Sequence, residues 1–284
     1  NLMSKIFSGI EVSNKICEKI KLDVENLHKN NISPCLAILR VGAKEDDIAY
    51  ERGAKKKMET LGIECKNVVL AETISQKELE DEILKLNLDT NIHGILMLRP
   101  LPKSFDEDKI RNLIDIKKDV DCMSNQALSK VFIGDKTAFA PCTASAVMEM
   151  LDYYNVDLAG KDVVILGRST VVGRPLSMLL LNANATPTIC HTKTLNLNEK
   201  CKNADIIVAA IGRAKFLKKD KVSPKSIVID VGINFLEGKL LGDVDFDEVE
   251  SEVTAISPVP RGVGSITTSV LAKNVVTSAK RLLD

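Results

Sequence analysis

The sequence lacks the features that mark several common classes of protein. Its 39 basic and 39 acidic residues leave no net charge that would attract a nucleic acid or an anionic membrane surface. No apolar run reaches the length of a membrane span, and the first residues show no signal-peptide pattern, so we expect a cytoplasmic protein. The seven cysteines form no C-x-x-C pair and no metal-ligand spacing with the three histidines, so we expect reduced thiols and no metal. A chain of 284 residues is long enough for two domains.

The stretch Asp162–Pro175, which reads DVVILGRSTVVGRP, is the most informative segment of the chain. An apolar run ends at Gly167, and a small polar turn leads to Gly173 and an apolar helical pattern. This order of strand, glycine turn and helix start suits a phosphate, because glycines let the backbone approach it and the helix amides face it. The spacing is not the usual G-x-G-x-x-G, so an ordinary strand-to-helix turn of a parallel sheet is the alternative interpretation.

Three further short apolar runs follow the glycine turn. Ala185–Cys190, Ala204–Ile211 and Ile227–Val231 are interpreted as strands, and helix-length segments fill at least the first two gaps. Such alternation predicts an α/β fold with a Rossmann-like doubly wound parallel sheet, which binds its ligand at the carboxyl ends of the strands.

The end of the second of these strands bears on which dinucleotide is bound. Proteins that select NAD usually place Asp or Glu about 20 residues past the glycine turn, where it holds the ribose 2′-hydroxyl. Here that position reads Cys190-His191-Thr192-Lys193, and the turn itself carries Arg168. A cationic, hydroxyl-bearing environment suits a 2′-phosphate, so we predict NADP rather than NAD. The alternative is that Arg168 and Lys193 are solvated surface charges.

The amino-terminal half of the chain has a pattern of its own. The predicted helices are Ile10–Lys29, Asp47–Leu61 and Gln76–Leu86, and the predicted strands are Cys35–Val41, Val68–Leu70 and His93–Leu98. We therefore expect a smaller α/β domain of residues 3–140 and a dinucleotide-binding domain of residues 141–267. A helix over residues 268–284 is expected to pack back onto the smaller domain. A cleft between the domains is the expected ligand site.

Ordered motifs along the chain resemble those of one enzyme family. They are Tyr50 in the first basic helix, Gly94-Ile95-Leu96, Pro100-Leu101-Pro102, Lys118-Asp119-Val120-Asp121, Pro141-Cys142-Thr143, Gly167-Arg168-Ser169, Val172-Gly173-Arg174-Pro175, Asp230-Val231-Gly232-Ile233-Asn234, Gly242-Asp243-Val244 and Pro258-Val259-Pro260. With these motifs the chain is similar to the methylenetetrahydrofolate dehydrogenase/cyclohydrolase family over nearly its full length. The resemblance implies a homodimer of two-domain subunits in one-carbon metabolism, with NADP or NAD on the carboxyl-terminal domain and tetrahydrofolate in the cleft.

The resemblance also implies roles for single residues. Tyr50 would contact the folate, and Asp121 would bind the pterin amines, a pairing that a carboxylate makes well. A core tyrosine and a helix-capping or surface acid are the alternatives for these two residues. The remaining contacts that the resemblance implies are Gly167, Arg168, Ser169, Gly173, Thr192 and Ile233 for the cofactor, and Leu98, Pro258, Val259, Gly262 and Gly264 for the folate. The three histidines, His28, His93 and His191, are interpreted as structural or surface residues.

Five departures from the family pattern fall on the folate side. The lysine of the family's Y-x-x-x-K is Ala54 here, and the glutamine before L-P-L-P is Leu98, followed by Arg99. The other three replace a serine, a glycine and part of a closing G-G-V-G-P, and they read Asp47, Cys122 and Arg261-Gly262-Val263-Gly264-Ser265. The dinucleotide side stays close to the family pattern.

These departures predict which of the family's two reactions suffers. Dehydrogenation needs two rings held face to face but no proton-carrying side chain, because the cofactor supplies the hard step. Hydrolysis of the methenyl product needs proton transfer, which the family assigns to the lysine, and losing such a group costs ~10²–10⁴ in rate. We therefore predict an NADP-dependent dehydrogenase whose cyclohydrolase activity is weak or absent. Lys55 lies about 100° around the helix from the lysine position, so rescue by Lys55 would need a local distortion.

Three other functions stay open from the sequence alone. The first is a fully bifunctional dehydrogenase/cyclohydrolase. The second is a non-catalytic NADP-binding paralogue, against which the retained Tyr50 and Asp121 speak. The third is a dehydrogenase in which Arg99 or Arg261 recruits a substrate with more negative charge.

Overall fold

The computed structural model describes residues 3–284 as alternating strands and helices. The strands are β1 Lys5–Ile6, β2 Cys35–Val41, β3 Glu64–Leu70, β4 Gly94–Met97, β5 Asp162–Leu166, β6 Thr186–Cys190, β7 Ile206–Ala209, β8 Ile227–Asp230, β9 Asn234–Leu236, β10 Lys239–Leu241 and β11 Ala255–Ile256. The α-helices are α1 Gly9–Lys29, α2 Glu45–Thr60, α3 Gln76–Leu88, α4 Glu107–Arg111, α5 Asn125–Phe132, α6 Cys142–Tyr153, α7 Gly173–Asn182, α8 Leu197–Asn203, α9 Phe246–Val249 and α10 Thr267–Lys280. Within these residues no helix is both long and apolar enough to cross a bilayer.

The chain divides into two compact units, which we call the six-stranded unit and the three-stranded unit. The six-stranded unit comprises residues 3–14 and 143–267, and the three-stranded unit comprises residues 15–142 and 268–284. The chain therefore passes from one unit to the other three times.

The six-stranded unit contains a parallel sheet with the strand order β1-β11-β8-β7-β5-β6. Strand β5 lies between β6 and β7, so the direction of the strand order reverses at β5. Ligands of open α/β sheets bind at such a switch point, outside the carboxyl ends of the strands. Strand β7 is buried along its whole length, as expected for a parallel strand covered on both faces. The predicted α/β class and doubly wound parallel sheet are confirmed.

The amino-terminal segment belongs to the six-stranded unit, which differs from the expected domain of residues 3–140. Strand β1 pairs with β11, with Lys5 opposite Ala255. The ring of Phe7 stacks on Tyr154 with centroids 4.2 Å apart, and the Tyr154 hydroxyl donates to the Ser8 carbonyl at 2.7 Å. A strand of two exposed residues has no readable periodicity, so the sequence pattern did not indicate this pairing.

The three-stranded unit contains a parallel sheet with the order β3-β2-β4. All seven residues of the central strand β2 are buried. Helix α10 packs on this unit, where the Asn274 amide donates to the Val120 carbonyl at 2.9 Å and the Ser278 hydroxyl donates to the Lys117 carbonyl at 2.9 Å. Gly94 begins β4 against the side chains of Val120 and Val275, and a Cβ there would lie only 3.0–3.1 Å from their methyl groups.

Candidate active site

The turn after β5 requires both of its glycines. Gly167 has φ +118°, and a Cβ on it would collide with the carbonyl oxygen of Ala210 at the end of β7. A Cβ on Gly173, at the start of α7, would collide with the carbonyl oxygen of Gly167. The two glycines therefore allow the turn to lie against the neighbouring strand and against the first turn of its own helix.

Hydrogen bonds within the turn fix its shape. The Ser169 hydroxyl accepts a bond from the Val172 amide at 3.0 Å, and the Ser169 carbonyl accepts one from the Arg174 amide at 2.9 Å. The Arg174 guanidinium donates through Nε to the Arg168 carbonyl at 2.9 Å. Of Arg168, only the main-chain carbonyl takes part in these bonds, and its side chain is exposed beside the turn.

A cavity of about 440 Å³ opens at the carboxyl ends of β5, β6 and β7, at the switch point of the sheet. Its lining residues are Leu166, Gly167, Arg168, Ser169, Cys190, His191, Thr192, Thr194, Leu197, Ala210, Ile211, Arg213 and Phe216. Two of them, Arg168 and Arg213, are cationic, and none is acidic. The Arg213 guanidinium lies 4.9 Å from the centroid of the Phe216 ring, which holds it by a cation–π contact.

The cavity contains four of the six residues predicted for the cofactor. Gly167, Arg168, Ser169 and Thr192 line it, whereas Gly173 supports the turn from the side of α7. Ile233 is 61% exposed and is not among the lining residues. Lys193, the second predicted cation, is exposed and likewise not in the lining.

Sequence reasoning missed Arg213 and the role of His191 at the cavity. Arg213 follows the third predicted strand of this unit. Because ligands of such sheets bind at the carboxyl ends of the strands, this position was the signal that could have identified it. His191 lines the cavity and accepts a bond at Nδ1 from the Lys193 amide at 3.2 Å. His93, in contrast, is buried and accepts a bond at Nδ1 from the Cys35 amide at 3.1 Å, which is a structural role.

In the three-stranded unit, Tyr50 lies near Asp121 and Cys142. Tyr50 is on α2 and is 39% exposed. Desolvation raises the pKa of Tyr50, and the charge of Asp121 raises it further, so the phenol is protonated at neutral pH. The Asp121 carboxylate accepts a bond from the Cys142 amide at 2.9 Å. Burial raises the pKa of Asp121, while the bonds from Cys142 and the charge of Arg99 lower it.

The four residues of the K-D-V-D motif, Lys118–Asp121, have different partners and roles. Lys118 donates through Nζ to the carbonyls of Leu86 and Asp89 at 3.0 and 2.7 Å, which ties the motif to the end of α3. The fully buried Asp119 accepts bonds from the amides four and five residues further on, those of Met123 and Ser124, at 2.8 and 2.9 Å. Val120 packs on Gly94, as described above. These three residues therefore hold the backbone in place, and Asp121 is the member that lies near Tyr50.

The two positions at which the resemblance implies a lysine and a glutamine are apolar and buried. Ala54 is 1% exposed on α2, and Leu98 is 8% exposed just after β4. Lys55 is exposed, and its charge acts on Cys65 in β3, where burial raises the pKa of the thiol to about 11 and Lys55 lowers it. The charge of Lys55, the lysine next to Ala54, therefore acts on Cys65 of β3.

A buried ion pair fixes the helix that carries Tyr50. Arg40 on β2 donates through Nε to the Glu51 carboxylate at 2.9 Å, and both side chains are 11% exposed. Arg40 also donates to the carbonyl of Gly42, which starts the connection to α2. Glu51 directly follows Tyr50, so this pair fixes the first half of α2 against β2.

Two of the departures from the family pattern occur where the backbone is left-handed. Cys122 has φ +55° in the three-stranded unit, and Arg261 has φ +69° in the six-stranded unit. Each stands where the resemblance implies glycine, the residue that adopts this region without steric cost. The backbone therefore keeps a glycine conformation with a different side chain on it.

The predicted floor residues Pro258, Val259, Gly262 and Gly264 belong to the six-stranded unit. A Cβ on Gly262 would collide with the carbonyl oxygen of Pro258, and a Cβ on Gly9 would collide with that of Gly262. Gly9 also donates its amide to the Arg261 carbonyl at 2.8 Å. This glycine contact joins the start of α1 to the segment of residues 258–264. A Cβ on Gly264 would meet no atom within 4 Å.

Comparison with known protein families decides the family. Residues 7–121 match the catalytic domain of tetrahydrofolate dehydrogenase/cyclohydrolase, and residues 141–283 match the NAD(P)-binding domain of the same family. The chain belongs to the tetrahydrofolate dehydrogenase/cyclohydrolase family. The glycine turn and its cavity fall within the residues that match the NAD(P)-binding domain of that family.

Individual members of the family are similar to the whole chain. The bifunctional protein FolD of Clostridium botulinum (strain Langeland) is 51% identical over 98% of this chain and 99% of its own length. The crystal structure of the bifunctional enzyme FolD of Campylobacter jejuni is 41% identical, with a TM-score of 0.96 over 98% of this chain and 99% of that one. The Trypanosoma brucei enzyme, solved with NADP and an inhibitor, is 32% identical, with a TM-score of 0.93 over 100% of this chain and 99% of that one.

Proposed function

We propose that this protein is an NADP-dependent methylenetetrahydrofolate dehydrogenase whose cyclohydrolase activity is weak or lost. The observation that carries the proposal is the contrast between two places in the chain. The cavity after β5 keeps a glycine turn and two arginines, whereas the lysine position of the family is a buried alanine, Ala54. The six-stranded unit would bind the dinucleotide, and the three-stranded unit would supply Tyr50 and Asp121 to the folate.

The residues of the cavity fit NADP better than NAD. The glycines at positions 167 and 173 allow a tight turn at the start of α7, because a Cβ on either would collide with a backbone carbonyl oxygen, and a turn of this kind at a helix start suits a phosphate. Arg168 and Arg213 supply positive charge for a 2′-phosphate, and the lining contains no carboxylate that would bind a free 2′-hydroxyl. Thr192 stands where an NAD-selecting protein usually places its acid. We propose Gly167, Arg168, Ser169, Gly173, Thr192 and Ile233 as the residues on the cofactor side.

On the folate side the protein's task in dehydrogenation is to position the substrate. NADP, when bound, supplies the chemistry by accepting a hydride from the methylene carbon of the folate. The Asp121 carboxylate, already held by the Cys142 amide, would accept hydrogen bonds from the pterin amines. The Tyr50 phenol stays protonated near neutral pH and would donate to the folate or stack on it. We also place Leu98, Pro258, Val259, Gly262 and Gly264 on the folate side.

Hydrolysis of the methenyl product needs a group that Ala54 and Leu98 cannot supply. Water must lose a proton as its oxygen bonds to the bridging carbon, and a ring nitrogen must gain one as its bond to that carbon breaks. A methyl group and an isobutyl group carry no proton for either transfer. Lys55 acts on Cys65, and Tyr50 holds its proton too tightly to serve as a base.

Full bifunctionality is the second candidate. The Clostridium botulinum relative at 51% identity is named a bifunctional protein, and that name favours retention of both activities. For the protein as a whole we propose a homodimer that acts on tetrahydrofolate derivatives in the cytoplasm, without nucleic-acid or membrane partners.

One assay tests the proposed function. The purified protein is given methylene-tetrahydrofolate with NADP or NAD, and NADPH or NADH formation and the absorbance of the methenyl product are followed together. We expect faster turnover with NADP and accumulation of the methenyl product. Turnover without accumulation would favour the bifunctional enzyme, and binding of NADP without turnover would favour a non-catalytic paralogue.

A further inference from the structure

Two buried carboxylates in the six-stranded unit have no part in the reaction described above. Asp230 ends β8 and is 3% exposed, and Asp243 follows β10 and is fully buried. Burying an ionised carboxylate is costly unless hydrogen bonds compensate it. The partners of both side chains are amide groups rather than side-chain cations, as the following contacts show.

The Asp243 carboxylate accepts hydrogen bonds from three consecutive main-chain amides in the connection that follows β7. Its Oδ2 accepts bonds from Ile211 at 2.7 Å and Gly212 at 3.0 Å, and its Oδ1 accepts one from Arg213 at 2.9 Å. Oδ1 also accepts a bond from the side-chain amide of Asn234 at 2.9 Å. One carboxylate therefore fixes the path of residues 211–213, and two of these residues, Ile211 and Arg213, line the dinucleotide cavity.

Asp230 in turn holds Asp243. Its Oδ1 accepts bonds from the amides of Gly232 at 3.0 Å and Asp243 at 2.9 Å, and its Oδ2 accepts one from Val244 at 3.1 Å. The arrangement is reciprocal. A Cβ on Gly232 would collide with the Asp243 carboxyl group, and one on Gly242 would collide with that of Asp230. The D-V-G and G-D-V motifs thus form one interlocked unit.

We propose that Asp243 is a positioning residue for the dinucleotide, acting through residues 211–213 and the guanidinium that Arg213 presents to the cavity. The inference rests on the proposed function in that the dinucleotide is taken to be NADP. Without the carboxylate, three neighbouring amides lose their common acceptor, and the connection after β7 takes up other conformations. Only a fraction of the molecules then holds Arg213 in the position that contacts the ligand, and the apparent affinity for the dinucleotide is reduced to that fraction of its original value.

The test is Asp243→Asn in the full-length protein. The side-chain amide keeps the shape of the carboxylate but turns an NH₂ group toward donors. We expect the dissociation constant for NADP, measured by calorimetry, to rise about tenfold. The KM for methylene-tetrahydrofolate should stay within about twofold of the wild-type value, because residues 211–213 belong to the cofactor side. A merely structural role would lower the amount of folded protein without separating these two constants.

Asp245→Asn is the matched control. Asp245 lies two residues further on and pairs with Lys218 at 2.9 Å, where the Lys218 side chain is 49% exposed. We expect this variant to bind NADP as the wild type does. If Asp243→Asn does not fold, Asn234→Ala removes one of the four donors, and we expect a rise in the NADP dissociation constant of about threefold.

Two results would overturn the inference. One is a folded Asp243→Asn variant, or failing that an Asn234→Ala variant, with wild-type affinity for NADP. The other is an equal loss of affinity for dinucleotide and folate. Measuring NAD in parallel separates this inference from the proposed function. A wild-type protein that prefers NAD would refute the NADP proposal, whereas loss of NAD affinity in Asp243→Asn would still support the positioning role.

Discussion

The two units support their sites in similar ways and differ in the side chains that they present there. In the six-stranded unit Asp243 collects the amides of residues 211–213 beside the dinucleotide cavity. In the three-stranded unit Asp119 collects the amides of Met123 and Ser124 beside Asp121. On the proposed function, the dinucleotide side keeps a glycine turn and two arginines on this support, whereas the folate side has a buried Ala54 at the position proposed for the proton-transfer lysine. The proposal thus separates the scaffold for binding, which both units retain, from the group that moves protons, which we propose has been replaced.

The largest expected effect comes from restoring the missing groups on the folate side. In the double variant Ala54→Lys/Leu98→Gln, we expect cyclohydrolase activity to rise ~10²-fold or more, because a positioned proton-transfer group is regained. Dehydrogenase activity should change much less. The measurement is the rate of loss of the methenyl absorbance in the absence of dinucleotide.

Lys55→Ala is the control for this experiment. Its ammonium acts on Cys65, so removing it should leave both activities unchanged. A wild-type protein that already hydrolyses the methenyl compound as fast as the double variant would contradict the proposed loss. A fall in hydrolysis on removing Lys55 would show that this lysine had taken over the role.

The next largest effect tests the dinucleotide side. Replacing Arg168 with alanine removes one of two cations from the cavity, and a hydrogen bond to a charged group is worth about 1.5–3 kcal/mol. We expect kcat/KM for NADP to fall about 10–100-fold, with little change for NAD. Lys193→Ala is the control, since Lys193 does not line the cavity. Equal losses with NADP and NAD would mean that Arg168 does not read the 2′-phosphate.

A smaller effect depends on pH and concerns the interlocked carboxylates. Burial raises the pKa of Asp230 to about 7, although the amides of Asp243, Val244 and Gly232 lower it, and the charge of Asp243 raises it further. The unfolded chain loses this proton near its ordinary value of 3.8. Between pH 3.8 and about 7, Asp230 is protonated in the folded state but ionised in the unfolded chain. The free energy of stabilisation from this proton is therefore greatest below about pH 4 and declines as the pH rises to about 7.

Asp230→Asn removes this titration and provides the measurement. We expect the free energy of unfolding of the wild type, relative to the variant, to decrease by up to about 1.4 kcal/mol for each pH unit between pH 5 and 7. Urea denaturation at several pH values would measure it. A constant difference across this range would show that Asp230 is ionised throughout.

The smallest expected effect concerns a left-handed residue outside the dinucleotide cavity. Arg261 is exposed and has φ +69°, so replacing it with glycine relieves a steric cost. After the greater flexibility of glycine in the unfolded chain is counted, we expect a net gain of about 0.5–1 kcal/mol in the free energy of unfolding. Arg52→Gly, in the middle of α2, should instead lose about 1 kcal/mol. A destabilised Arg261→Gly variant would show that the arginine side chain makes a needed contact.

The sequence predicted those parts of the molecule whose physical cause is local. Strand β5 and the glycine turn after it were readable because an apolar run and two glycines lie within a few residues of each other. Strand β1 was not readable, since two exposed residues pair with a strand that is far away in the chain. The hairpin of β9 and β10 was missed because each strand has only three residues, although its Glu237-Gly238 turn has the positive φ values typical of tight hairpins.

The candidate site was predictable to a similar degree. Arg168 was found because it lies inside the glycine turn, and Arg213 was missed because it lies in a connection without a motif of its own. Asp230 and Asp243 were visible only as part of a family pattern. Their partners are main-chain amides, which every residue has, so no side-chain pattern in the sequence reveals the contact.

The pairing of β1 with β11 has a consequence for how the protein is made. Lys5 pairs with Ala255, so during synthesis on the ribosome β1 has no strand to pair with until most of the chain has been made. A nascent chain arrested before residue 255 cannot complete the sheet. Premature termination before residue 255 would therefore remove β11 and leave β1 without its partner, so one edge of the six-stranded sheet would be lost.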